Sequence, residues 1–219
     1  MKKYIILFAV VLGVLLQFHT ASAASFSLRQ GWNLVNGNVV VQLFSPSSSL
    51  EQFLARGGAI FGLDPRSKHY VGGTTADDID KNLDTMIEAM PNGEEDAFGM
   101  GFWVYTPTAS TMTINFSIVG NDRDTYAAAH HYYKGWNLVG ITDLMRGRSL
   151  NEIKGTCTFV AIYVFEGGEW HKAGDRGNDF DEKIDVSAIG NAFAMKVVND
   201  CKFNFATRST VPSVPNLPE

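Results

Sequence analysis

The pentapeptide Gly-Trp-Asn-Leu-Val occurs twice in this chain of 219 residues, at 31–35 and again at 135–139. A repeat of that length restricts the fold, because each copy must be a supersecondary assembly able to sit beside the other. The alignment continues past the pentapeptide. Ser49-Leu50 faces Ser149-Leu150, and Ala59-Ile60-Phe61 faces Ala161-Ile162-Tyr163. In that register Leu63 meets Phe165, Lys68 meets Trp170, His69 meets His171 and Gly72 meets Gly174. Later, Gly99 and Phe102 face Gly190 and Phe193. The shift between copies shrinks because the first carries extra residues between Gly73 and Phe98.

Those extra residues have helical periodicity. Ile79, Leu83, Met86, Ile87 and Met90 recur at helical spacing, Thr75 and Asp78 are placed as a cap, and Pro91 ends the run, which predicts an amphipathic helix over 76–90. Shorter helices are expected at 49–56 and 149–154, each beginning at a serine. Stretches rich in β-branched and aromatic residues predict strands at 39–44, 59–63, 101–105 and 111–118 in the first copy. Their counterparts are 136–141, 158–165, 193–198 and 202–207. In 158–165 both faces are apolar, as in a strand covered on both sides. The fold class expected is α+β, predominantly antiparallel β: two homologous tandem units with short helices and one longer helix in the first. The units span 25–121 and 126–208, with the polar stretch 120–126 between them and a tail at 209–219. There, Pro212, Pro215 and Pro218 recur every third residue, as in a polyproline II segment.

The first 23 residues read as a signal peptide. Lys2 and Lys3 precede an apolar stretch at 4–18, shorter than a spanning helix needs, and Ala21-Ser22-Ala23 is a small-residue cleavage site. Cleavage there predicts a secreted, periplasmic or cell-surface protein with no integral membrane association. Of 18 basic residues, the loss of Lys2 and Lys3 leaves 16 against 23 acidic ones, a net charge of −7. That balance, without basic runs, argues against nucleic acid as a partner. Two cysteines, Cys157 and Cys201, both fall in the second copy; in an oxidising compartment they are expected to form a disulfide.

The two Gly-Trp-Asn-Leu-Val copies, the segment 161–165 leading to Trp170, and Gly101-Phe102-Trp103-Val104 together resemble the "GWNL … G(Y/F)WV" repeats of secreted and cell-surface proteins of bacteria and archaea. The resemblance implies β-rich extracellular modules, often appended to larger surface proteins. The second copy departs from the pattern, with Ala192-Phe193-Ala194-Met195 in place of Gly101-Phe102-Trp103-Val104.

Trp32 and Trp136 occupy equivalent positions and are assigned to the structural core of their units; the alternative is a platform for a sugar ring, with Asn33 and Asn137 bonding hydroxyls. Trp103 and Trp170 have no aromatic counterpart across the repeat and are the candidate binding residues. His69 and His171 match each other but have no ligand-spaced partners, so no metal site is expected. His130-His131 reads as surface strand. The cluster of acidic residues at 175–185 lacks the glycine of an EF-hand loop and reads as solvated, with calcium as the sharper alternative. No nucleophile elbow, zinc helix or phosphate loop occurs, so neither an enzyme nor a cofactor is expected. The function expected is structural or adhesive at the cell surface. Carbohydrate binding through exposed aromatics and an extracellular hydrolase are the alternatives, with surface glycans or another envelope protein as partners.

Overall fold

The computed structural model describes residues 23–43, 48–115, 130–173 and 180–205. The signal segment up to residue 22, the unit boundary at 120–126 and the tail at 209–219 lie outside the described residues. Among the described residues, ten strands form three antiparallel sheets. β1 (Ala23–Leu28) pairs with β6 (Ser110–Asn115). In the first four-stranded sheet β2 (Gly31–Asn36), β3 (Ala59–Leu63), β4 (Tyr70–Gly73) and β5 (Gly101–Thr106) lie in the order β2-β5-β3-β4. In the second four-stranded sheet β7 (Gly135–Gly140), β8 (Phe159–Glu166), β9 (Glu169–Lys172) and β10 (Ala192–Val197) lie in the order β7-β10-β8-β9. The two orders are the same when strands are matched by the sequence alignment.

The repeated pentapeptide explains itself locally. Gly31 and Gly135 adopt φ of 96° and 93°, which a side chain resists. The asparagine two residues on ties the entering chain into a turn. Asn33 Nδ2 donates to the carbonyls of Arg29 and Gly31, and Asn33 Oδ1 accepts from the Arg29 N–H. Asn137 repeats all three bonds with Tyr133 and Gly135. Leu34 and Leu138 then point inward and are buried.

Each four-stranded sheet has an outer and an inner face. On the β2-β5-β3-β4 sheet, Ile60 and Phe102 face outward against the helical insertion, where Ile79, Leu83 and Met86 are buried. That insertion runs as one helix through Ala76–Asp78, a π-wound stretch Ile79–Asp84 and Thr85–Glu88, with the Thr75 side chain capping the Asp78 N–H. On the second sheet, Ile162, Phe193 and Met195 face outward into a core closed by Leu150, Ile153 and Phe203. Leu150 and Ile153 belong to a short helix, Leu150–Ile153, started by a capping box between Ser149 and Glu152. The inner faces meet each other at Leu34, Leu63, Leu138, Ala192 and Ala194, flanked by Trp103, Tyr163 and Phe165. Strand β8 therefore uses both faces, although Val160 at its start is exposed.

Contacts between the sheets come in exchanged pairs. Val35 bridges Asn191 while Val139 bridges Met100. The Asn36 N–H donates to Gly190 and the Gly140 N–H to Gly99. A Cβ on Gly140 would stand 2.6 Å from that of Asn36, and one on Gly101 2.7 Å from that of Ala192. In each case a residue meets its own aligned counterpart, the relation a local two-fold axis produces. Only one member of each such pair has room for a side chain.

Three expectations are corrected. Residues 39–43 of the strand expected at 39–44 are not a strand, residue 44 lying outside the described residues: Gly37–Leu43 is helical, because Asn36 Oδ1 accepts the Val39 N–H as an N-cap and overrides the valine run. Residues 202–205 form no strand. Their backbone turns to the loop after Leu150–Ile153, with Thr156 N–H to Lys202 O, Asn204 N–H to Ile153 O, and Lys202 N–H to Thr156 Oγ1. The disulfide Cys157–Cys201 holds the same junction, with Cα atoms 4.9 Å apart. Finally, His130 is not on the surface. It is 3 % exposed, its Nδ1 lies 3.0 Å from Asp96 Oδ1, and its ring packs on the buried Tyr132.

Candidate functional site

The inner faces overlap only at their leucine and alanine centre, so an aromatic part of each sheet is left uncovered. Trp32 lies two residues before Leu34 and Trp136 two before Leu138, so strand alternation puts each indole on the inner face. Both lie beyond the overlap. Trp32 is 45 % exposed and Trp136 36 %. Their assignment to the structural core is therefore a correction: the leucine of the motif fills the core, and the tryptophan faces solvent. Trp170 is 43 % exposed and Tyr70 55 %, both on the outermost strands β9 and β4.

These rings form a continuous series across the sheet junction. Trp32 meets Trp103 edge-on at 6.2 Å, Trp103 meets Trp170 at 5.5 Å, Trp170 meets Tyr163 at 6.3 Å, and Tyr163 meets Trp136 at 5.9 Å. The Trp103 Nε1–H donates to Tyr70 Oη at 3.4 Å. Trp103 and Trp170, singled out for lacking aromatic counterparts, are thus brought into contact at the middle of the series, with Trp103 half-buried. What the repeat concealed was Tyr70, Phe61, Tyr163 and Phe165, each of which reads as an ordinary strand residue.

Two clefts open on this surface. One, about 630 Å³, is walled by Trp32, Phe61, Trp103, Phe165, Trp170 and Tyr70. The other, about 420 Å³, is walled by Trp136, Tyr163, Trp170, Tyr70, Ala194 and Lys68. Both fall in the size range of small-ligand sites. Lys68 adopts φ of 64° in the turn between β3 and β4, and its Nζ donates to the carbonyls of Pro65 and, at 3.2 Å, Trp136. Burial lowers its pKa, opposed in part by the charges of Asp200 and Asp64. Asn33 and Asn137 spend their side-chain amides on their turns, which weighs against the alternative in which they bond a ligand's hydroxyls; Asn137 nonetheless lines the smaller cleft beside the Lys68 ammonium.

The remaining candidates lie apart. His171 Nε2 sits 3.3 Å from the Glu166 carbonyl oxygen, and His69 is exposed at the start of β4. Among the described residues no group of three potential metal ligands occurs. Part of the acidic segment, 174–179, is outside the described residues. Of the rest, Asp181 accepts from Asn151 and Asp185 from the Ser187 N–H. No described helix is long and apolar enough to cross a membrane, and a formed disulfide suits an oxidising, extracellular setting. Comparison with family models, with curated proteins and with solved structures returns no match for this chain.

Proposed function

We propose that this chain is an exported, non-enzymatic adhesive module that binds glycans in the groove between its two four-stranded sheets. The observation that carries the reading is the series of indole and phenol rings left open to solvent, including the tryptophan of both motif copies. An exposed apolar patch of this kind on a folded chain marks a binding surface. Sugar rings present flat C–H faces that stack on aromatic rings, while tyrosine hydroxyls and indole N–H groups meet the hydroxyls at the edge. The lining of neither cleft holds the pair of carboxylates that a glycosidase uses. Export rests on the signal-like N-terminus together with the disulfide, and the likeness to surface repeat modules fits the same setting. The duplicated-unit organisation is part of the reading, supported by the common strand order and the exchanged contacts between sheets.

A glycan array probed with the chain from residue 24 onward tests this. Binding to a defined saccharide set, lost on Trp170→Ala or Tyr70→Ala with the folded far-ultraviolet spectrum retained, is the expected result. An array without signal, or binding indifferent to both substitutions, contradicts it.

A further inference from the structure

The two clefts are counterparts across the local two-fold, yet they differ in one consistent direction. Around Trp32 stand Trp103, Tyr105 and Trp170, with Tyr105 5.2 Å from the indole. The aligned residues around Trp136 are Ala194, Lys196 and Lys68. Lys196 Nζ lies 5.7 Å from the Trp136 ring centre. One indole has given way to a methyl group, and two aromatic positions have become ammonium groups.

We infer that the Trp136 cleft is the acid-reading subsite of the groove: it takes a sugar ring carrying a carboxylate or sulfate group, stacked against Trp136, with the anion at Lys68 and Lys196 on the rim. This rests on the glycan reading above and narrows it to acidic saccharides. The geometry favours it in two ways. Lys68 is held by a backbone in the left-handed region, a conformation that is retained only where the surroundings enforce it. Two of its three N–H groups are spent on the Pro65 and Trp136 carbonyls, which aim the ammonium and leave one donor for a ligand. The acidic groups acting on Lys68 are engaged elsewhere: Asp64 by Arg66 and Ser67, Asp200 by the Lys134 N–H. A cation beside an aromatic face in a partly desolvated cleft discriminates charge more sharply than one in open water.

The test is calorimetric titration of the chain from residue 24 with matched ligands: an oligogalacturonate against its carboxyl-reduced form, and a sulfated oligosaccharide against its desulfated form. The expected result is a preference of about tenfold for one acidic member over its neutral partner at low salt, shrinking as salt rises. The pair that shows it identifies the anion as carboxylate or sulfate. Lys68→Met and Lys196→Met should each reduce the acidic-to-neutral ratio, Lys68→Met the more, and Lys68→Arg should retain most of it. Equal affinity for acidic and neutral partners overturns the inference while leaving the glycan reading intact, as does a preference that survives both methionine substitutions. Failure of every saccharide to bind overturns both.

Discussion

At the scale of single residues, the repeated motif divides its labour: glycine makes the turn, tryptophan faces the groove, asparagine ties the turn and leucine enters the core. The asparagine brace is made twice, but Asn137 is only 2 % exposed whereas Asn33 is half-buried. Removing a buried partner strands the groups it satisfied at about 1–3 kcal/mol, and water can replace the bonds of a more accessible one. Asn137→Ala should therefore lower unfolding stability by about 2 kcal/mol in a urea titration, and Asn33→Ala by less. The repeat was legible in the sequence, but the asparagine brace was not, and neither was the direction of the tryptophan: Asn33 and Asn137 read there as partners for sugar hydroxyls. Position in a repeat says that a residue has a role, and indoles fill cores and line sites with equal ease. Strand alternation alone places Trp32 on the same face as Leu34; whether another sheet covers that part of the face depends on contacts distant in sequence.

At the scale of elements, the helix over 76–88 followed from its spacing and its Thr75 cap, and 59–63 followed from its composition and flanking turns. The valine run at 39–41 misled, because a tertiary arrangement that places Asn36 as a cap outweighs strand propensity. The segment after Cys201 misled for a related reason: its hydrogen bonds go to the loop beside Cys157, a partner that pattern cannot specify. Between elements, Asp96 at the end of the helix Glu94–Ala97 pairs with His130 leading to β7. Burial raises the Asp96 pKa, but hydrogen bonds from His130 and Asn92 and the charge of His130 outweigh it, so the carboxyl titrates below its ordinary 3.8. Folded Asp96 holds its proton less tightly than unfolded Asp96, so its contribution is complete above pH about 4 and drains away as pH falls through the folded value. Denaturant titrations from pH 6 to pH 2 should show that loss, and Asp96→Asn should reduce it. An unchanged acid limb in the variant would refute the role given to this pair.

At the scale of the whole molecule, the sheets meet about a local two-fold whose axis leaves space for one side chain where two aligned residues coincide. Gly101→Ala should cost about 1–3 kcal/mol by overpacking against Ala192. Exchanging the pair, with Gly101→Ala and Ala192→Gly in one chain, should recover a large part of that loss, a coupling visible in a double-mutant cycle. Additive losses would mean that the two positions do not share one space. Partial overlap is also what leaves the aromatic ends of both inner faces open, so the architecture and the proposed binding surface have the same cause. The most direct measurement of that claim is the Trp32→Ala/Trp136→Ala double variant, assayed for denaturant stability and for binding to the saccharide that the array identifies. Indoles facing a groove predict a stability loss well short of the roughly 3–5 kcal/mol that truncating even one core tryptophan brings, together with loss of binding. A loss of that size or more with saccharide binding retained would put these two rings inside the protein and contradict the account.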